Sequence, residues 1–139
     1  MRVEHKDRSA RPSFTTWLLA AVSWSLALIV LSLIPVQGHA LRLFAGQDKL
    51  VHFLSYLLLA WLVSRFLSYF SISSIKTFIY SMVYAVLFGA LLELLQSSFT
   101  QSRSGELLDL IANATGALCG CVIFCLMHRS SSKHDNANS

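Results

Sequence analysis

The sequence predicts an all-α fold, a bundle of four transmembrane helices with both termini cytoplasmic, and three observations carry that prediction. Hydrophobic residues make up 55% of the 139 and charged residues only 13%, where an ordinary soluble domain is about one quarter charged. The charges are also segregated. No Lys, Arg, Asp or Glu lies between Pro12 and Leu41, and a charge-free apolar run of about 18 residues or more marks a bilayer-spanning helix. Finally, the apolar runs lack the alternation of barrel strands, and lipid offers no partner to an unpaired backbone group, so they are read as helices.

The elements follow in order. Residues 1–13 form a polar tail whose Arg2, Lys6, Arg8 and Arg11 precede the first span, 14–34. This span is too long for the roughly 7 to 15 residues of a signal-peptide core. It is therefore read as an uncleaved anchor, although Gly38-His39-Ala40 has the small-x-small form of a cleavage site. Pro35 ends it, because the residue before a proline is biased away from helical geometry. The remaining spans are 50–70, 77–96 and 107–127, and residues 128–139 are expected to form a disordered polar tail. At about 1.5 Å of rise per residue each span reaches roughly 30 Å, the thickness of the hydrocarbon core. Eight of the eleven Lys and Arg residues flank the spans on the side of the termini, and only Arg42, Lys49 and Arg103 lie on the other. The positive-inside rule then puts both termini in the cytoplasm. Arg65, near the cytoplasmic end of the second span, is expected to snorkel toward the interface.

Composition also excludes some functions. The net charge of +4 comes without a basic face or recognition motif, so no nucleic-acid partner is expected. Cys119, Cys121 and Cys125 lie inside the last span and read as small hydrophobes. Cys121, Cys125 and His128 share a helix face, but a fourth ligand is absent nearby, so no metal is expected there. No cofactor motif is present.

Polar residues converge on one membrane face. Asp48, Lys49, His52 and Tyr56 open the second span, Glu93 and Gln96 close the third, Arg103 and Glu106 occupy the loop, and Asp109 and Asn113 open the fourth. Spacing places Lys49, His52 and Tyr56 on one helix face, Glu93 and Gln96 on another, and Asp109, Asn113 and Gly116 on a third. A carboxylate inside a span costs about 2.5 to 3.5 kcal/mol on the lenient insertion scale, so Glu93 should face protein or water and find a partner. Arg103, Lys49 and His52 are the candidates. Asp48 and Glu106 also suit helix N-termini, with Ser104 as an N-cap. Tyr56 also suits an interface aromatic, and Asn113 interhelical hydrogen bonding. Ala112, Gly116 and Gly120, four apart, form a small-xxx-small stripe that lets the fourth helix approach a neighbour, and Gly89 suits the same role on the third.

At these residues the chain resembles the VanZ-like family of small bacterial membrane proteins. The resemblance rests on "DKLVHFLSY" and "ELLQSSFTQSRSGELLDLIANATGALCG" and covers about residues 45 to 125. The family pattern falls on Asp48, His52, Tyr56, Glu93, Gln96, Arg103, Asp109, Asn113, Gly116 and Gly120. Many members carry a proline shortly before the arginine, where this chain has Gln101-Ser102. The resemblance implies a multi-pass protein of the bacterial cytoplasmic (inner) membrane and a link to resistance against the glycopeptide teicoplanin, but no established reaction.

Three functions fit the constellation. In the first, an outward-facing pocket of Asp48, Lys49, His52, Tyr56, Glu93, Gln96, Arg103, Asp109 and Asn113 binds the headgroup of a membrane lipid or lipid-linked cell-wall precursor. Arg103 and Lys49 hold phosphate in that reading. In the second, the protein is a hydrolase or transferase acting on such a lipid, with Glu93, His52 or Asp109 as catalytic candidates. The third is structural: the polar set locks the bundle, an oligomer or a docked partner. No nucleophile elbow or phosphate loop favours the enzyme.

Overall fold

The computed structural model describes residues 12–33, 46–99 and 107–137. They form four helices: α1 (Phe14–Leu33), α2 (Gln47–Leu67), α3 (Ser74–Phe99) and α4 (Leu107–Ala137). All four are long and apolar enough to cross a membrane. Pro35, Gly38-His39-Ala40, Arg42, Arg103, Ser104 and Glu106 lie outside the described residues.

Local chemistry accounts for the helix boundaries, including those that hydropathy misplaced. The Ser13 hydroxyl accepts the amide of Thr16 at 3.3 Å, capping α1. Helix α2 starts three residues before the expected Leu50. Its N-cap is Gly46, at φ 85°, a left-handed conformation open to glycine without a Cβ penalty. Asp48 follows in the first turn, where a carboxylate favours the positive end of the helix dipole. After Leu67 the chain tightens into short turns, with Tyr69 N–H donating to Phe66 O and Phe70 N–H to Leu67 O. Hydropathy cannot register that end, because Tyr69 and Phe70 are as oily as the helix before them.

Helix α3 is longer than expected at both ends. Ser73 accepts the Lys76 amide through its hydroxyl and the Thr77 amide through its carbonyl, so the helix begins at Ser74. Ser97 and Ser98, expected in a loop, are helical. Their hydroxyls donate back to the Leu94 carbonyl at 2.9 and 2.8 Å, which satisfies them inside the helix. The expected disordered tail is likewise corrected: α4 continues to Ala137. No glycine or proline follows Gly120 to stop it before that point.

Packing inverts the polarity of a soluble bundle. Leu19, Val30, Leu31, Leu87, Leu94 and Leu126 are all exposed, whereas Ser64, Ser81, Thr77, Gln96, Asp109 and Asn113 are buried. Lipid surrounds such a bundle without penalty to the former, and the interior supplies hydrogen-bond partners to Ser64, Thr77 and Gln96 among the latter. Phe14 of α1 packs on Phe66 and Phe70 beyond the middle of α2, while Ser32 at the far end of α1 meets Gln96 at the end of α3. Successive helices are therefore antiparallel, and α2 and α4 run parallel. Helix α1 contacts α2 and α3 but not α4.

The tightest contact joins α2 to α4. A Cβ on Gly116 would collide with the Phe53 carbonyl, and one on Gly120 with the Leu57 carbonyl. Two glycines four apart thus lie against two carbonyls four apart, one turn per contact. Such proximity lets dispersion act between backbones and brings Cα–H groups toward carbonyl oxygens, the main attractions open to helices in lipid. Ala112, one turn earlier, is half-buried. Gly89 serves α3 differently: a Cβ there would lie 3.0 Å from the Tyr56 ring and 3.2 Å from Asn113 Nδ2.

The opposite end of the bundle is aromatic. Trp17 and Trp61 meet edge to face at 5.4 Å, and the Arg65 guanidinium lies 4.7 Å from the Trp17 ring centroid. Arg65 thus has an aromatic partner for its charge, a more specific placement than the snorkelling expected of it.

Gly116→Val should force α2 and α4 apart and cost about 3 kcal/mol, at the upper end of overpacking effects. Thermal unfolding in detergent checks this. Leu126→Ala, at a side chain 61% exposed, should stay within about 0.5 kcal/mol of wild type.

Candidate functional site

The parallel approach of α2 and α4 sets the first turn of one beside the first turn of the other, and α3 ends between them. Three helix termini therefore carry their polar residues to one end of the bundle. Lys49 Nζ lies 3.1 Å from Asp48 Oδ2 within α2 and 3.7 Å from Asp109 Oδ1 on α4. His52 Nδ1 is 3.0 Å from Asn113 Oδ1 on α4 and 3.7 Å from Glu93 Oε1 on α3. One histidine thus touches both other helices.

The His52–Asn113 bond constrains the ring. An amide oxygen only accepts hydrogen bonds, so in this arrangement Nδ1 carries the proton and donates it. In the neutral ring Nε2 then holds the lone pair, available to a proton or an electrophile. Asn113 is 1% exposed and its Nδ2 has no hydrogen-bond partner. Asp109 is 9% exposed, and its Oδ1 also lacks one, the Lys49 ammonium standing beyond hydrogen-bond reach. Glu93 and His52 retain only about an eighth to a sixth of their side-chain surface, at 12% and 16%. These are costly groups to bury. Their mutual proximity and the narrow access to water offset that cost.

Two residues expected in the cluster have other placements. Gln96 shares a face with Glu93, yet its Nε2 donates to Ser32 Oγ at 2.6 Å and Ser32 O at 3.1 Å, tying α3 to the end of α1. Tyr56 is 3% exposed and packs its ring against Gly89, one turn below His52. It belongs to the floor of the site rather than to the interface belt. Ser32 had not been singled out. A serine among apolar residues gives no signal by itself, and only the partner on α3 identifies it. Asp48, Lys49, His52, Glu93, Asp109 and Asn113 are brought together, and Arg103 lies outside the described residues.

A cleft of about 120 Å³ opens beside this cluster, between α1, α2 and α3. Ser32, His52, Tyr56 and Gln96 line its polar side, and Leu28, Leu31, Val51 and Leu92 its apolar side. Leu31 and Val51 are more than half exposed, at 61% and 55%, so the mouth faces sideways, where lipid lies. The lining is thus amphipathic. It joins lipid-exposed side chains to the His52 imidazole.

His52, Glu93 and Asp109 form a group that could hold a metal ion, each offering one ligand atom, although no metal was expected from the sequence. Cys121, Cys125 and His128 do not form one among the described residues. Cys121 is buried against Ser64 and the Phe78 carbonyl, and His128 stacks on Phe124 at 5.6 Å.

Among known protein families, the family model described as VanZ/LLP1 matches residues 8–128. No curated protein and no solved structure matches the chain.

A double-mutant cycle between His52→Ala and Asn113→Ala should give a coupling energy of about 0.6 to 1.7 kcal/mol, the range of interhelical hydrogen bonds in membranes. Unfolding in mixed micelles measures it. Additive effects would mean that the two side chains do not interact.

Proposed function

The chain belongs to the VanZ/LLP1 family, and from that premise we propose that it is a multi-pass protein of the bacterial inner membrane that binds an anionic lipid or lipid-linked cell-wall precursor. The headgroup sits at the polar end of the bundle and part of the hydrocarbon tail in the neighbouring cleft. The observation that carries this reading is the shared wall. His52 lines the cleft and belongs to the charged cluster, so an amphiphile entering between α1 and α2 meets apolar surface first and charge second. Lys49 supplies a cation for phosphate, and Arg103 is the second cation that the sequence offers for that role. Asn113 and His52 supply hydrogen bonds. The excess of Lys and Arg at the opposite end, eight against three, supports an outward-facing polar end. Headgroups of the outer leaflet and cell-wall precursors would then meet the site directly, a position compatible with an effect on teicoplanin sensitivity.

A fluorescent anionic lipid titrated into purified protein in neutral detergent tests the reading. Val51→Trp, which narrows the cleft, and Lys49→Gln should each weaken binding about tenfold, or about 1.4 kcal/mol. Leu126→Trp, on a lipid-facing surface away from the cleft, should leave it unchanged. Equal affinity in all four proteins would refute the site.

The 3.7 Å approach of Glu93 to His52, with Asn113 holding the ring, favours a second reading, a hydrolase or transferase in which this pair moves a proton. Glu93→Gln distinguishes the two. It preserves shape and hydrogen-bonding capacity, so lipid binding should persist, while acid–base turnover of the bound lipid should fall by about 100-fold or more. A purely structural cluster would instead show Glu93→Gln lowering the unfolding temperature together with every other property.

A further inference from the structure

We propose that His52, Glu93 and Asp109 form a binding site for one divalent transition-metal ion of the zinc or manganese class. The three residues come from α2, α3 and α4, and their ligand atoms all lie within 4.8 Å of one another. Two ligands of one such ion stand at most about 4.2 Å apart, twice a bond length of about 2.1 Å. A spacing of 4.8 Å or less exceeds this limit by at most about 0.6 Å.

Charge and protonation agree with this assignment. Two carboxylates neutralise a divalent ion, and a neutral complex is far cheaper to hold near lipid than a charged one. An imidazole nitrogen with two carboxylate oxygens is a donor set that zinc and manganese accept. The hydrogen bond from His52 Nδ1 to Asn113 Oδ1 fixes the ring and leaves the other nitrogen with its lone pair, the arrangement in which metal-bound histidines are normally held.

Independent of this grouping, Asp109 is nine-tenths buried and its Oδ1 has no hydrogen-bond donor. A buried carboxylate oxygen normally has one. Lys49 competes for Asp109 at 3.7 Å, but it also has Asp48 at 3.1 Å. When the ion enters, the ammonium passes to Asp48 and no charge is stranded. Three protein ligands leave a coordination position open to water or a ligand oxygen. The site needs no lipid, so it stands or falls separately from the lipid-binding reading.

The test is a titration of Zn²⁺ and of Mn²⁺ into full-length protein stripped with chelator in detergent, followed by calorimetry and elemental analysis. One equivalent of at least one of the two ions should bind and raise the unfolding temperature. His52→Ala, Glu93→Gln and Asp109→Asn should each weaken binding by about tenfold or more, and Lys49→Gln should strengthen it. Unfolding in chelator verifies that the variants are folded, and the near-isosteric Gln and Asn replacements keep the test usable if His52→Ala is not. The proposal is overturned if neither ion changes the unfolding temperature of the wild type. It is overturned equally if folded Glu93→Gln and Asp109→Asn bind as the wild type does, which would place the ion elsewhere on the chain.

Discussion

The backbone contact between α2 and α4 is the constraint on which the rest of the structure depends. Gly116 and Gly120 lie against the carbonyls of Phe53 and Leu57, with no room for a Cβ at either position. Because two successive turns are matched, the contact fixes both the distance between the helices and their register along the membrane normal. Register decides the chemistry. Asp109 and Asn113 precede Gly116 on α4 by about two turns and one turn, and Lys49 and His52 lie in the turn before Phe53 on α2. A slip of one turn would move these groups by about 5.4 Å, breaking both the 3.0 Å and the 3.7 Å contacts.

The polar end is therefore assembled by packing with no water-driven core behind it. In lipid the association of helices gains little from burying apolar side chains. Most large apolar residues of this chain remain on its outside, and close backbone approach and interhelical hydrogen bonds hold the interior. The bonds are distributed along the bundle: Ser25 to Tyr84 and Trp24 to the Ser55 carbonyl join α1 to α3 and α2, and Gln96 to Ser32 closes α1 on α3 near the site. The last of these also shapes the cleft, since Ser32 and Gln96 are two of its polar walls. One contact both fastens the helices and prepares a surface for an amphiphile.

The cluster gathers Asp48, Glu93 and Asp109 around Lys49 and the titratable ring of His52. That excess of negative charge among the described residues gives the lipid and the metal readings a common origin. A cation satisfies the carboxylates, and a cation with an open coordination position can in turn receive an anionic headgroup. Neither reading requires the other. Asp48 is what allows both, because it holds Lys49 whichever partner Asp109 takes.

How much of this was legible depends on the range of the interaction responsible. The four spans, the all-α class and the family pattern follow from the sequence by itself, because span formation is governed by the length and apolarity of a contiguous run, which needs no neighbour. The small-xxx-small stripe and the faces shared by Lys49, His52 and Tyr56 and by Asp109, Asn113 and Gly116 were legible for the same reason, as periodicity within one helix. Helix ends were less so: Gly46, Ser73 and the back-bonding of Ser97 and Ser98 act through single hydrogen bonds or dihedral angles that hydropathy averages away. Only the tertiary structure decided that Gln96 leaves the cluster for Ser32, that Tyr56 forms its floor, and that His52, Glu93 and Asp109 are close enough to share one ion. Those outcomes depend on rotation and register between helices far apart in the chain. Intrahelical spacing carries no information about either.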